Sequence, residues 1–236
     1  MKTGKLFIIV LISIFSTLPT FAAETSPYQF LRYVSGARAA SLAGSFVSIE
    51  NDASAVVYNP GAIYTVSDKP LHATFLKHVL DINSGLAVYV HPLEDGAKLA
   101  GAIGFNSYGA FTGADKFGNL TSEFGGSDIS AALYYSDWID SSLYYGAGAK
   151  FIFVNLEEQS FTAMAIDAGL FYQMNDRTNI GLSVLHAGMQ LSGIEGVDNS
   201  LPLDIRAGIN HRLRGLPLLI NFSFHFLYPA ELFLEF

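Results

Sequence analysis

"LDIRAGINHRLRGLPLLINFSFHF", Leu203 to Phe226, is the stretch that decides the fold. From 203 to 213 the odd positions are Leu203, Ile205, Ala207, Ile209, His211 and Leu213, while the even ones are Asp204, Arg206, Gly208, Asn210 and Arg212. Past the turn residues Arg214 and Gly215 the parity changes: Leu216, Leu218, Ile220, Phe222, Phe224 and Phe226 are even, with Asn221, Ser223 and His225 between them. Successive side chains of a strand point to opposite faces, so each half has one apolar and one polar face. The two halves read as neighbouring antiparallel strands joined by a tight turn.

The same alternation extends upstream. Between 141 and 153 it puts Leu143, Tyr145, Ala147, Ala149, Phe151 and Phe153 opposite Ser142, Gly146, Gly148 and Lys150. Between 164 and 174 it separates Met164, Ile166, Ala168, Leu170 and Tyr172 from Asp167, Gly169 and Gln173. Weaker segments run over 71–79, 84–92, 97–107, 127–136 and 179–189, which makes nine candidate strands. In the four strongest, no Asp, Glu, Lys or Arg falls on the apolar face. Lys77 and His186 break the pattern in the weaker ones and are expected near the ends of the apolar band.

Composition explains why that face matters. The chain is 50% hydrophobic and 14% aromatic but only 14% charged, against roughly 25% charged in soluble domains. No apolar run after residue 22 approaches the ~20 residues of a spanning helix. High apolar content without such helices points to a membrane-spanning antiparallel β-barrel, because lipid accepts only helices and closed sheets. Trp138, Tyr134, Tyr135, Tyr144 and Tyr145, near strand ends, suit an interfacial aromatic belt. Connections alternate too: tight turns near 94–96, 137–140, 175–177 and 214–215, longer loops over 108–126, 155–161 and 191–201. A secreted β-sandwich with its apolar face inside satisfies the same period of two, so periodicity leaves inside and outside to be distinguished.

The first 22 residues read as a cleaved export signal: Lys2 and Lys5, an apolar run from Leu6 to Leu18, then Pro19 and Thr20-Phe21-Ala22. Removing Lys2 and Lys5 from 13 basic residues leaves 11 against 21 acidic, a net charge of -10. A chain so acidic lacks the basic footprint that nucleic acid requires. With no cysteine, lipid anchoring, disulfides and thiolate metal sites are excluded. The expected organisation is a signal at 1–22, an N-terminal plug segment at 23–69, barrel strands over 70–228 and a tail at 229–236.

The plug expectation comes from "GARAASLAGSFVSIENDASAVVYNPGAIY", Gly36 to Tyr64. It reads as two short helical pieces around an extended run, Ser45 to Ile49, with Asp52 capping Ala53 to Tyr58 and Pro60 ending that piece. Ala37, Ala39, Ala40, Ala43 and Gly44 are small enough to lie close against a wall. A periplasmic arm is the alternative.

Within this stretch "NDASAVVYNPGAIY" resembles a signature of the fatty-acid-transport-like outer-membrane barrels, and "GARAASLAGSFVSI" resembles its version in the PorV/PorQ family. "YGAFTGADKFGNLTSEFGGSD", Tyr108 to Asp128, and "LPLDIRAGINHRL", Leu201 to Leu213, are similar to stretches of that family, the first leaning toward PorQ. The family-motif positions are Gly36, Ala37, Arg38, Asn51, Asp52, Asn59, Pro60 and Gly61. The resemblance implies a barrel in a Gram-negative outer membrane with its N-terminal segment in the lumen. It also implies a non-enzymatic role in type IX secretion, handling or attaching exported cargo, with outer-membrane lipid, secretion-system proteins and cargo as partners. The superfamily implies the alternative of a channel for hydrophobic small molecules. Two departures stand: Gly61 takes the place of the family's Ala, and nine strands are fewer than the family barrel has and odd in number. The barrel is therefore expected to be incomplete, truncated near its C-terminal end, unless "LYPAELFLEF" supplies a terminal strand.

Catalytic signals are absent from the pattern. The six histidines, His72, His78, His91, His186, His211 and His225, show no metal-ligand spacing, and no nucleophile elbow occurs. Glu157 and Glu158 are a solvated loop pair. No cofactor is expected. Lys150, Asp167, Asp204, Arg206 and Arg212 lie on the polar face and are expected to line the lumen, pairing with one another or with the plug.

Overall fold

The computed structural model describes residues 26–33, 36–114, 116–157, 159–193, 200–228 and 231–235. The expected signal at 1–22 lies outside the described residues. Among the described residues ten strands follow the N-terminal segment: β1 Leu71–Lys77, β2 Asn83–Pro92, β3 Lys98–Ala114, β4 Leu120–Asp140, β5 Leu143–Leu156, β6 Gln159–Asn175, β7 Thr178–Ser192, β8 Leu203–Arg212, β9 Leu219–Tyr228 and β10 Glu231–Glu235. Each pairs antiparallel with the next, giving one sheet in the order β1 to β10. The all-β antiparallel expectation holds. Among the described residues the sheet is open, with β1 and β10 as its edges. No helix among the described residues is long and apolar enough to cross a membrane.

Three sequence expectations are corrected. The region expected as a long loop over 108–126 is mostly a two-stranded ribbon: β3 and β4 stay paired to Ala114↔Leu120, beyond the last partners in β2 (Asn83↔Ser107) and β5 (Gly126↔Leu156). Neither face of such a ribbon packs on a core, so no hydrophobic period marks it as strand. The tail after 228 contributes β10, paired to β9 from Glu231↔Leu227 to Glu235↔Ser223. The extended run expected at Ser45–Ile49 is instead a turn, in which Ile49 N–H donates to the Phe46 carbonyl at 3.2 Å.

Parity is confirmed in detail. Ile103, Leu133, Phe151, Met164, Ile166, Ile209 and Phe222 point away from the packed face and are exposed. Leu86, Val88, Tyr134, Ile152, Phe171, Asn210 and Ser223 point the other way and are buried. What buries them is the N-terminal segment, which crosses this face as a 3-10 turn Gln29–Arg32, a helical turn Ala37–Ser41 and 3-10 turns Ala53–Val57 and Pro60–Thr65. Asp52 caps the third piece as expected, accepting from Ser54 N at 2.9 Å. Pro60 does more than end that piece. With Asn59 as the cap it opens the next, because its fixed φ and missing N–H suit a first helical position.

Among the described residues the core is three apolar clusters made jointly by segment and wall. Ala53, Val56, Ile63 and Val66 pack on Leu86, Val88, Val90 and Tyr134. Phe46, Ile49, Tyr58 and Ala62 pack on Tyr144 and Phe171. Tyr28 and Phe30 pack separately on Ile152, Val154, Phe161 and Ala163.

Candidate functional site

The N-terminal segment lies against its wall at a row of glycines. Gly146 (β5) pairs with Gly169 (β6), and Gly181 (β7) with Gly208 (β8). A Cβ at Gly169 would clash with the Asn59 side-chain oxygen, and one at Gly181 with the Val47 carbonyl. A Cβ at Gly146 would clash with the Pro60 carbonyl and come within 2.7 Å of Gly61 N. Backbone therefore touches backbone across the interface, and only glycine permits that approach.

Asn59 is the fastening at this point. It is fully buried, and its Nδ2 donates to the carbonyls of Val47 at 2.8 Å and of Leu170 at 2.9 Å. Its Oδ1 accepts from Gly61 N at 2.9 Å. Ser183 adds a bond to the Tyr58 carbonyl at 2.7 Å. One side chain thus satisfies two buried acceptors on opposite sides of the interface, which a carboxylate cannot do. Asn59→Asp is expected to lower unfolding stability by about 2 kcal/mol, the range for stranded buried polar groups. Denaturant titration of the refolded protein measures it, with Asn51→Asp at the partly exposed rim as a milder control.

The remaining motif residues do other work. Gly36 has φ 107°, a left-handed backbone that precedes the helical turn, and Ala37 on that turn is exposed. Arg38 Nη1 pairs with Asp52 Oδ2 at 2.6 Å, and Asn51 Oδ1 accepts from Ser67 N at 3.0 Å. Burial by itself lifts the Asp52 carboxyl, but hydrogen bonds from Ser54 and Arg38 outweigh it and hold the group below the ordinary carboxylate range. The small residues expected against the wall are mostly elsewhere: Ala37, Ala40 and Ala43 are exposed, and only Ala39 and Gly44 are buried. The close contact comes from Asn59, Pro60, Gly61 and Val47 on wall glycines.

Of the five polar-face residues expected to line the interior, four are buried there. Lys150 Nζ lies 2.9 Å from Asp167 Oδ2, with side-chain exposures of 5% and 0%. Tyr134 donates its hydroxyl to the same oxygen at 2.8 Å. Arg206 pairs with Asp204, its Nε donating to Oδ2 at 2.6 Å, and its guanidinium sits 5.1 Å from the Tyr58 ring centroid. Arg212 differs. At the end of β8 it is 61% exposed, 3.9 Å from Glu50, because the strand runs out before reaching the packed interior.

His186 is the main residue the periodicity misplaces. Ile166 pairs with Ala187 and Ala168 with Val184, so Leu185 and His186 together face Asp167 across a β-bulge. His186 takes φ 60° there, and its ring turns onto the packed face, 4% exposed. Its backbone N–H donates to Asp167 Oδ1 at 2.7 Å, and its Nδ1 lies 3.0 Å from Lys150 Nζ. An ammonium only donates, so Nδ1 accepts and the ring proton is on Nε2. Lys77 stays on the outward face, exposed at the end of β1 and 3.4 Å from Asp81.

A chamber lies between the two parts of the N-terminal segment. Leu31 and Tyr33 bound it on one side and Val57 and Tyr58 on the other, with Lys150, His186 and Arg206 on the wall. Among the described residues no group of three or more His, Asp or Glu is placed to hold a metal ion. Compared with known families and curated proteins, the chain matches no family model and no curated protein.

Proposed function

We propose that this chain is an integral outer-membrane protein of the β-barrel type, a non-enzymatic component of type IX protein secretion related to the PorV/PorQ family. The observation that carries the membrane part is the polarity of the sheet. The face covered by protein bears Lys150, Asp167, Asp204, Arg206, Asn210 and His225, while the uncovered face bears Leu133, Ile103, Phe151, Ile166 and Ile220. A soluble sandwich or lipocalin-like barrel has the reverse arrangement. Lipid is the solvent that makes an exposed apolar face and a polar interior favourable together. In a membrane the edges β1 and β10 require pairing, since unpaired backbone groups in hydrocarbon cost several kcal/mol each. The secretion role and the PorV/PorQ relation rest on the motif resemblance, and a fastened N-terminal segment supports that relation.

Leu133→Arg tests the membrane reading. Leu133 is 74% exposed at the middle of β4. In a bilayer the substitution is expected to cost roughly 2 to 3 kcal/mol and to cut assembly in the membrane fraction. In a water-soluble protein an exposed arginine leaves folding unchanged, so a detergent-free soluble product that tolerates Leu133→Arg overturns the proposal. The secretion role is tested separately, by deleting the gene in its host and measuring surface display of exported proteins. The chamber favours a second reading, passage of hydrophobic small molecules, which predicts binding of long-chain lipids by the purified protein.

A further inference from the structure

A further cavity, of about 900 Å³, opens at the end of the sheet that carries the β4–β5, β6–β7 and β8–β9 turns. That volume is in the range of small-molecule sites rather than of packing defects. Its lining joins distant parts of the strand order, since Lys69 immediately precedes β1 and Arg212 closes β8. The N-terminal segment contributes Glu50, Asn51 and Asp52 between them. Tyr64 and Tyr144, with ring centroids 4.6 Å apart and nearly parallel planes, add an aromatic wall.

The acidic and amide side chains of this lining already have partners. Asp52 accepts from Ser54 N and pairs with Arg38. Asn51 accepts from Ser67 N and donates to Asp68. Gln173 donates to Glu50 at 3.1 Å and accepts from the Tyr144 hydroxyl at 2.8 Å. The cations of the lining at 69 and 212 are less committed. Arg212 comes no nearer to Glu50 than 3.9 Å, too far for a hydrogen bond. Lys69 is exposed and makes no ion pair among the described residues. In a chain of formal net charge -8, the donors left over at this cavity are therefore cationic.

We propose that the cavity is a binding site for an organic anion bearing carboxylate or phosphate groups, held between Arg212 and Lys69. The guanidinium offers a planar fork to two oxygens of one group, and the ammonium a point charge to another. Glu50 competes with the ligand for Arg212 and so sets the affinity. The partly enclosed walls strengthen both attractions relative to open water. The site is a property of the folded chain and does not rest on the membrane or secretion reading.

Isothermal titration calorimetry on the purified full chain at low ionic strength tests it, because exposed charges are screened by salt. The probes are tetraglutamate for carboxylate, tripolyphosphate for phosphate and tetraglutamine as the neutral peptide. At least one anion is expected to bind and tetraglutamine not to, and which anion binds identifies the chemistry. Lys69→Gln and Arg212→Gln are each expected to weaken that anion about fivefold, the worth of one partly exposed ion pair. Glu50→Gln is expected to tighten it about threefold, by removing a nearby like charge and releasing Arg212. A folding defect cannot produce that gain. Lys116→Gln, on the ribbon between β3 and β4, is expected to leave the affinity unchanged. Binding of neither anion, equal binding of tetraglutamine, or an affinity indifferent to positions 50, 69 and 212 would each overturn the proposal.

Discussion

Gly146→Val is expected to abolish seating of the N-terminal segment and to lower stability by at least about 3 kcal/mol, the upper part of the range for overpacking. The new Cβ would enter the space of the Pro60 carbonyl and of Gly61 N, which are main-chain atoms that no rotamer change moves. The substitution is not a test of strand propensity, since valine is a better strand former than glycine. Gly101→Val is the control: on the opposite face of the same sheet, the nearest atom to its Cβ is Leu133 Cδ2 at 3.8 Å. Urea titration of both variants, with the parent, should show Gly101→Val near or above the parent and Gly146→Val far below it. Equal midpoints for the two would mean that the segment does not rest on the glycine row.

Lys150→Met carries the second large effect. Asp167 is fully buried, and its charge is compensated chiefly by the ammonium 2.9 Å away. Tyr134 and the His186 N–H remain as hydrogen-bond donors but carry no full charge. Removing one member of a buried pair costs about 3 to 5 kcal/mol, because the other is left uncompensated. Lys150→Met is therefore expected to destabilise by that amount, and the double variant Lys150→Met/Asp167→Asn to recover at least half of it. A double variant no more stable than the single one would show that the lysine contributes through packing of its aliphatic chain.

Much of this interior was legible from parity. Lys150, Asp167, Asp204 and Arg206 alternate with apolar residues in three strands, and all four are buried on the packed face. His186 was not legible, because a bulge inserts one residue and changes parity midway along β7: Leu182 is exposed before it, Met189 and Leu191 after it. The only local sign was that 179–189 alternated poorly. Gly146, Gly169 and Gly208 were visible as polar-face positions and Gly181 lay in the weakly alternating 179–189, but a strand glycine usually signals weakness rather than contact. Their role depends on lying side by side on neighbouring strands under Asn59 and Val47, which only pairing creates. The ribbon from Tyr108 to Gly125 was hidden for the opposite reason, since it has no packed face to impose a period.

By itself the sequence determined which residues share a face, where most strands turn, and that one face is apolar over its whole width. These are local properties: period two follows from the pleat of each strand, whatever lies around it. The tertiary structure decided which face is covered and by what. Asn59 meets Leu170 across 111 residues of chain, and Ser48 meets Asn210 across 162. Such contacts exist only once the sheet has wrapped the N-terminal segment, and they place charge inside and leave the apolar face uncovered.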